Sequence, residues 1–222
     1  MKYLFMILIL LLVSCDKFRV QPDVQEVVIT IDDAPNFPNN TIKMLDVLKR
    51  YNVQATMFCI GYYLKESPEL ATRIAKEQTL ANHTMSHLHI NEVNIEDIYN
   101  EEIVNTQNLI DSINIANNRP LTMYFRAPYG AINSNQMDYL TDRGYKVTWW
   151  DIDGSDWSSD LSLETIMNDI HNQLVNTDSE IPILLFHLSD NSSKALEAII
   201  KEFNFKNIKI ISLEERAKIL DK

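Results

Sequence analysis

The chain has 222 residues, 45% of them hydrophobic, enough for one well-buried domain and short for two. Its formal charge of -11, from 31 acidic and 20 basic residues, argues against a nucleic-acid partner, because phosphate binding needs clustered Lys and Arg. Only four glycines occur, so no Gly-rich phosphate loop is available and a nucleotide-binding reading loses support.

The N-terminus opens with Lys2, an apolar run over 3–13 and then Ser14-Cys15. A run of this length is short for a membrane span and fits the apolar region of a secretory signal. Leu12-Val13-Ser14-Cys15 resembles the bacterial lipobox, whose cysteine is lipidated and becomes the new N-terminus. A plain signal peptide and an uncleaved anchor are the alternatives. The lipobox reading divides the chain into a signal at 1–14, a polar tether at 15–26 hung from a lipid on Cys15, and a catalytic domain at 27–222. Cys59, the other cysteine, then has no disulfide partner and reads as a small buried hydrophobe.

From Val27 onward, short β-branched runs alternate with longer amphipathic segments. The first strand is expected at 27–31, followed by a helix from an Asn40 cap to about Tyr51. A strand at 55–60 precedes Ser67-Pro68, an expected N-cap with proline at the first helical position, and a helix over 68–76. A short strand at 79–81 delivers His83, and Asn94 opens a long helix to about Ile113. The second half repeats the unit: strand 123–125 and helix 135–143, strand 146–150 and helix 163–175, strand 181–186 and helix 193–203. Strand 208–211 and a helix opened by Ser212-Leu213-Glu214-Glu215, at capping-box spacing, complete it. Seven strand-helix units of this kind define an α/β fold, a parallel sheet covered by helices, which crossovers of one hand can close into a barrel.

The unusual polar residues follow the C-terminal ends of these strands. Asp32-Asp33 follow Ile31, His83 and His87 follow the third strand, and Arg126 follows Phe125. Asp151, Asp153 and Asp156 follow Trp150, and His187 follows Phe186. In parallel α/β barrels that rim builds the active site. Each group has an ordinary structural explanation by itself: a turn for Asp32-Asp33, a surface ion pair for Arg126, a core histidine for His187 and packing aromatics for Trp149 and Trp150. His89 and His171 read as solvated. Two histidines four apart can reach one metal ion from a helical turn or across a tight loop. The joint arrangement of carboxylates and imidazoles on one rim outweighs the separate explanations.

Five stretches, Thr30-Ile31-Asp32-Asp33-Ala34-Pro35, His83-Thr84-Met85-Ser86-His87, Arg126-Ala127-Pro128-Tyr129-Gly130, Asp153-Gly154-Ser155-Asp156-Trp157 and Leu185-Phe186-His187, resemble the ordered motifs of the NodB-like polysaccharide deacetylases, carbohydrate esterase family 4. The resemblance runs from about Val27 to the C-terminus. It implies a distorted (β/α)7 barrel, one divalent metal, usually zinc, and removal of acetyl groups from a carbohydrate. Asp33, His83 and His87 would be the metal ligands, Asp32 the general base and Arg126 its orienting partner. The backbone N–H of Tyr129 would help hold the oxyanion. His187 would be the general acid, with Asp156 as its partner and Asp153 and Asp151 as the other candidates. Leu185 and Trp157 would receive the acetyl methyl.

The chain departs from the family pattern in three places: Ala34 stands where glycine is usual, Glu77-Gln78-Thr79 replaces a common Gly-His upstream of His83, and Leu188 replaces a frequent acidic residue. The first could alter the turn after Ile31, and the second could shift the loop carrying the ligands. The motifs leave N-deacetylation of peptidoglycan, chitin-like or poly-N-acetylglucosamine chains and O-deacetylation of xylan both open. A catalytically silent glycan-binding lipoprotein is the rival class. A phosphate-ester hydrolase would want a second metal or a basic clamp, and the sequence offers neither.

Overall fold

A computed structural model describes residues 24–158 and 160–221; the expected signal at 1–14, lipidation at Cys15 and tether up to residue 23 lie outside the described residues. The first strand, β1 (Glu26–Ala34), starts one residue before the expected Val27, and Val24 ahead of it is buried. The remaining strands are β2 (Thr56–Cys59), β3 (Thr79–Asn82), β4 (Tyr124–Phe125), β5 (Lys146–Val147), β6 (Ile152–Asp153), β7 (Ile183–Phe186) and β8 (Lys209–Ile211). They pair in parallel in the order β5-β4-β3-β2-β1-β7-β6, with β8 joined to the first residues of β1. Helices α1 (Pro38–Arg50), α2 (Gly61–Glu66), α3 (Pro68–Glu77), α4 (Ile95–Ile98), α5 (Asn105–Ala116), α6 (Ser134–Thr141), α7 (Leu163–Asn176), α8 (Ser192–Lys206) and α9 (Leu213–Leu220) complete the distorted (β/α)7 barrel. Among the described residues no helix is long and apolar enough to cross a membrane.

The barrel's distortion sits where one strand was expected over 146–150. Only Lys146–Val147 of that run forms a strand, β5; Thr148–Asp151 belong to no strand, and β6 follows at Ile152–Asp153, so that β5 and β6 form the two ends of the strand path. The carbonyls of Thr148 and Trp149 accept hydrogen bonds from the Arg126 side chain at 3.2 and 2.9 Å, so a guanidinium spans the opening.

Side chains alternate along each strand. Val27, Ile29 and Ile31 pack outward with Met44, Leu48, Leu196 and Ile199 under α1 and α8, whereas Val28 packs inward with Phe58, Ala81, Tyr124 and Ile183. Cys59 lies in the outer layer, fully buried, with burial pushing its thiol pKa up. It is the buried hydrophobe its sequence setting suggests.

Several helix starts differ from expectation. α1 begins at Pro38 with no side-chain cap, and Asn40 instead donates to the carbonyl of Leu188 at 2.8 Å. Ser67 makes no capping hydrogen bond, although Pro68 does begin α3. Asn94, Asn133, Ser162 and Ser212 do cap, the last with the expected reciprocal bond to Glu215. The long helix after Asn94 contains a π-helical turn, Tyr99–Val104, between α4 and α5. His171 is buried rather than solvated, with Nε2 2.7 Å from Glu202 across the α7–α8 packing; His89 is exposed.

Candidate active site

Inward-facing positions at the C-terminal ends of the strands converge on one cavity of about 350 Å³, lined by Asp32, Asp33, His83, His87, Tyr129, Gly130, Trp150, Asp153, Trp157, Leu185 and His187. Strand parity accounts for four of them, and for Thr30 and Arg126, which stand behind Asp32; the others come from the bulge, from β6 and from loops. Thr30 and Asp32 continue the inward series from Val28, His83 follows Ala81 by two, Arg126 follows Tyr124 by two, and Leu185 and His187 follow Ile183.

Asp33 breaks the parity. As the neighbour of Asp32 it should point outward, but its φ is 68° and the β1–β2 register shifts between Ile31 and Ala34. This bulge turns Asp33 into the cavity and returns Ala34 to the outer core. The left-handed residue is therefore Asp33, a type that tolerates this conformation, and Ala34 bears none of the strain that replacing glycine suggested.

Asp33 Oδ1 lies 3.1 Å from His87 Nε2 and 3.5 Å from His83 Nε2, yet it is buried and aligned with neither as a hydrogen bond. Burial pushes the Asp33 carboxyl up, but the two imidazoles outweigh it and hold its pKa far below the usual carboxylate range. The ligand atoms of Asp33, His83 and His87 all lie within 4.8 Å of one another. His83 Nδ1 donates to the carbonyl of Arg126 at 2.8 Å, which fixes the ring with Nε2 toward Asp33 and the cavity. His87 Nδ1 meets the Tyr129 hydroxyl at 3.1 Å. Two oriented imidazoles facing an orphaned carboxylate oxygen fit a divalent metal. The pair is held by a loop, not a helical turn, and the altered approach to His83 does not move it away from Asp33.

Asp32 is separate from this set. Its Oδ1 accepts from Arg126 Nη1 at 2.7 Å, while Oδ2 is 3.8 Å from His83 Nε2. Arg126 is 1% exposed, with its guanidinium 4.1 Å above the Phe58 ring. Burial lowers the Arg126 pKa and the Asp32 charge raises it, the net shift being downward; the guanidinium remains a cation.

Across the cavity, His187 Nδ1 lies 3.0 Å from Asp156 Oδ1, and Asp156 also accepts the backbone N–H of His187. Burial opposes the imidazolium, but the Asp156 hydrogen bond and the charges of Asp156, Asp32 and Asp33 raise the His187 pKa to about 9. Of the three candidate partners, Asp156 is the one in contact. Asp153 lines the cavity, with its own pKa raised by burial, whereas Asp151 turns away to accept from the backbone N–H of Ile183.

The His187–Asp156 pair makes a pH prediction. A raised folded-state pKa favours the folded protein fully below the unfolded value near 6.5, and this stabilisation is lost as pH rises through 9. Asp156→Asn removes the charge that favours imidazolium, so the His187 titration followed by NMR should move to lower pH by about one unit or more. An unmoved titration would show that Asp156 does not set it.

Leu185 is buried and Trp157 is 63% exposed, so they form a wall and a lip of the cavity. Trp150 also lines it, where the sequence alone suggests only a packing aromatic. Gly130, with φ 63°, permits this: a Cβ there would stand 2.9 Å from the Trp150 ring.

Residues 19–148 match the family described as polysaccharide deacetylase. The chain is 32% identical over 194 residues to a peptidoglycan-N-acetylglucosamine deacetylase of Bacillus cereus, covering 85% of this chain and 66% of the relative. It is 29% identical over 197 residues to the peptidoglycan-N-acetylmuramic acid deacetylase PdaC of Bacillus subtilis, covering 88% of this chain and 39% of the relative. It therefore spans just under two thirds of one relative's length and well under half of the other's. Among solved structures, a peptidoglycan N-acetylglucosamine deacetylase in complex with a naphthalenyl-benzamide compound superposes with a TM-score of 0.76 at 28% identity, over 89% of both chains. The match over more than half of its length establishes that this chain belongs to the polysaccharide deacetylase family.

Proposed function

We propose that the protein removes acetyl groups from N-acetylhexosamine residues of a bacterial envelope or chitin-like glycan. The observation that carries this is the orphaned Asp33 Oδ1 facing two imidazole nitrogens, with an Arg-held carboxylate and an Asp-held imidazole in the same cavity. The N-acetyl assignment draws support from relatives named for peptidoglycan amino sugars.

Asp33, His83 and His87 would hold the metal, for which zinc suits two imidazoles and a carboxylate with room for further ligands. When bound, it supplies Lewis-acid polarisation and acidifies water. Asp32, fixed through Oδ1, keeps Oδ2 turned to the cavity to take a proton from water as it attacks the acetyl carbonyl carbon. The backbone N–H of Tyr129 is assigned to the developing oxyanion. His187, held through Nδ1, gives its Nε2 proton to the leaving amine as the C–N bond breaks, releasing acetate. Leu185 and Trp157 enclose the acetyl methyl.

The test is acetate release from a panel of N- and O-acetylated oligosaccharides with added zinc and with chelator. Release from N-acetylated members that stops with chelator and returns with zinc is expected. Chelator-insensitive release would sink the metal assignment, and release confined to O-acetyl substrates would overturn the N-acetyl reading.

We also propose that the protein is held at the bacterial cell envelope by a lipid on Cys15. Lys2, the apolar run and the Leu12–Cys15 pattern support this. Cys15→Ser should move the protein out of the membrane fraction, and continued membrane retention would defeat the anchor.

A further inference from the structure

We propose that Glu102 is a positioning residue for the metal centre, clamping the loop that carries His87. The inference rests on the metal reading above and concerns how that ligand is kept in place.

The loop after β3 has an unusual backbone. Thr84 has φ 64° and His87 has φ 63°, so two of the four residues from 84 to 87 are left-handed without being glycine. Such conformations persist only where the surroundings hold them. Each loop N–H has an identifiable acceptor. Thr84 N donates to Asn82 Oδ1 at 3.0 Å, and His87 N donates to Thr84 Oγ1 at 3.1 Å. The two N–H groups between them, of Met85 and Ser86, both donate to Glu102 Oε2, at 3.0 and 2.9 Å. The Ser86 hydroxyl donates to Glu102 Oε1 at 2.8 Å. Successive N–H groups converging on one carboxylate form an anion-binding concavity, and hydrogen bonds to an ionised acceptor are the stronger kind.

The carboxylate is itself anchored. Glu102 belongs to the π-helical turn Tyr99–Val104, a local widening of the kind that recurs at functional sites. Its carbonyl accepts from Thr106 Oγ1 at 2.8 Å, and the adjacent Ile103 carbonyl accepts from Asn82 Nδ2 at 2.9 Å. A continuous line of hydrogen bonds thus runs from the π turn through Glu102 to the backbone beside His87. Without Glu102, two consecutive N–H groups would lose their acceptor in the strained part of the loop. Glu102 lies outside the ligand set and outside the cavity lining, so its effect must pass through the position of His87.

The experiment is zinc titration by calorimetry of the metal-free full chain, wild type against Glu102→Gln and Glu102→Ala, with thermal unfolding of each metal-free protein. Outer residues that orient metal ligands typically change affinity about 10- to 100-fold. Glu102→Ala is expected to weaken zinc binding by about 10-fold or more, and Glu102→Gln, which keeps one acceptor oxygen, by less. Metal-free melting should change little in Gln, and Gln decides the matter if Ala does not fold. Wild-type affinity in a folded Gln and Ala pair would overturn the inference while leaving the metal site intact. A wild-type chain that binds no zinc would instead overturn the underlying metal reading.

Discussion

Asp32→Asn is expected to lower the rate of acetate release by about 10²- to 10⁴-fold, the range for loss of a positioned general base. The substitution preserves shape, and the Asn oxygen can still accept from Arg126. What it removes is the capacity of Oδ2, 3.8 Å from His83 Nε2, to take a proton. Because Asp32 is not among the three proposed ligand residues, zinc binding should survive in Asp32→Asn and fail in Asp33→Ala. Measuring both properties in both variants separates the roles of two adjacent carboxylates. Full activity in Asp32→Asn would sink the assigned mechanism; loss of zinc from it would make Asp32 a ligand instead.

Arg126→Leu is expected to destabilise the protein by about 3–5 kcal/mol, read as a shift in the urea midpoint, because removing one partner leaves the other charge buried and unpaired. Asp32 is 4% exposed and would lose its 2.7 Å partner, while Thr30 Oγ1 and the Thr148 and Trp149 carbonyls would lose a donor each. The contrast is Arg73, whose pair with exposed Asp46 should be worth about 0–1 kcal/mol despite its 2.6 Å separation. Arg126→Lys should recover only part of the loss, since an ammonium cannot reproduce the planar fork that reaches three directions. A destabilisation below about 1 kcal/mol for Arg126→Leu would show that water relaxes into the barrel and replaces the guanidinium.

The sequence makes the barrel and its rim legible because both depend on local patterns. Apolar runs at 27–31 and 55–60 and amphipathic helices between them follow from composition and period. Asp33, His83 and His87 emerge through the family resemblance and by their shared position after strand ends, and the structure brings them together. What escapes local reading is set by distant partners. Lys146 to Trp150 reads as one strand, but the Thr148 and Trp149 carbonyls turn to Arg126 and leave the ladder. Asn40 has the chemistry of a cap, yet its amide is drawn to a carbonyl 148 residues away. His171 sits on an amphipathic helix beside polar residues, and only the packing of α7 on α8 shows that it is enclosed with Glu202. Glu102 carries no motif, since its role depends on the π turn and on a loop sixteen residues earlier.

The bulge at Asp33 has a bearing on tolerance to motion. By undoing strand parity at one residue, it turns both Asp32, the proposed proton acceptor, and Asp33, the proposed metal ligand, toward one cavity, with their α-carbons about 3.8 Å apart across one peptide unit. Their spacing is therefore fixed by covalent geometry and is indifferent to small sliding or breathing between strands. The His187 side of the cavity has no such guarantee, because it depends on β7 and on the loop bearing Asp156 keeping their places beside β1. Heat, or substitutions that loosen the sheet, should thus impair protonation of the leaving group before they disturb the alignment of base and ligand.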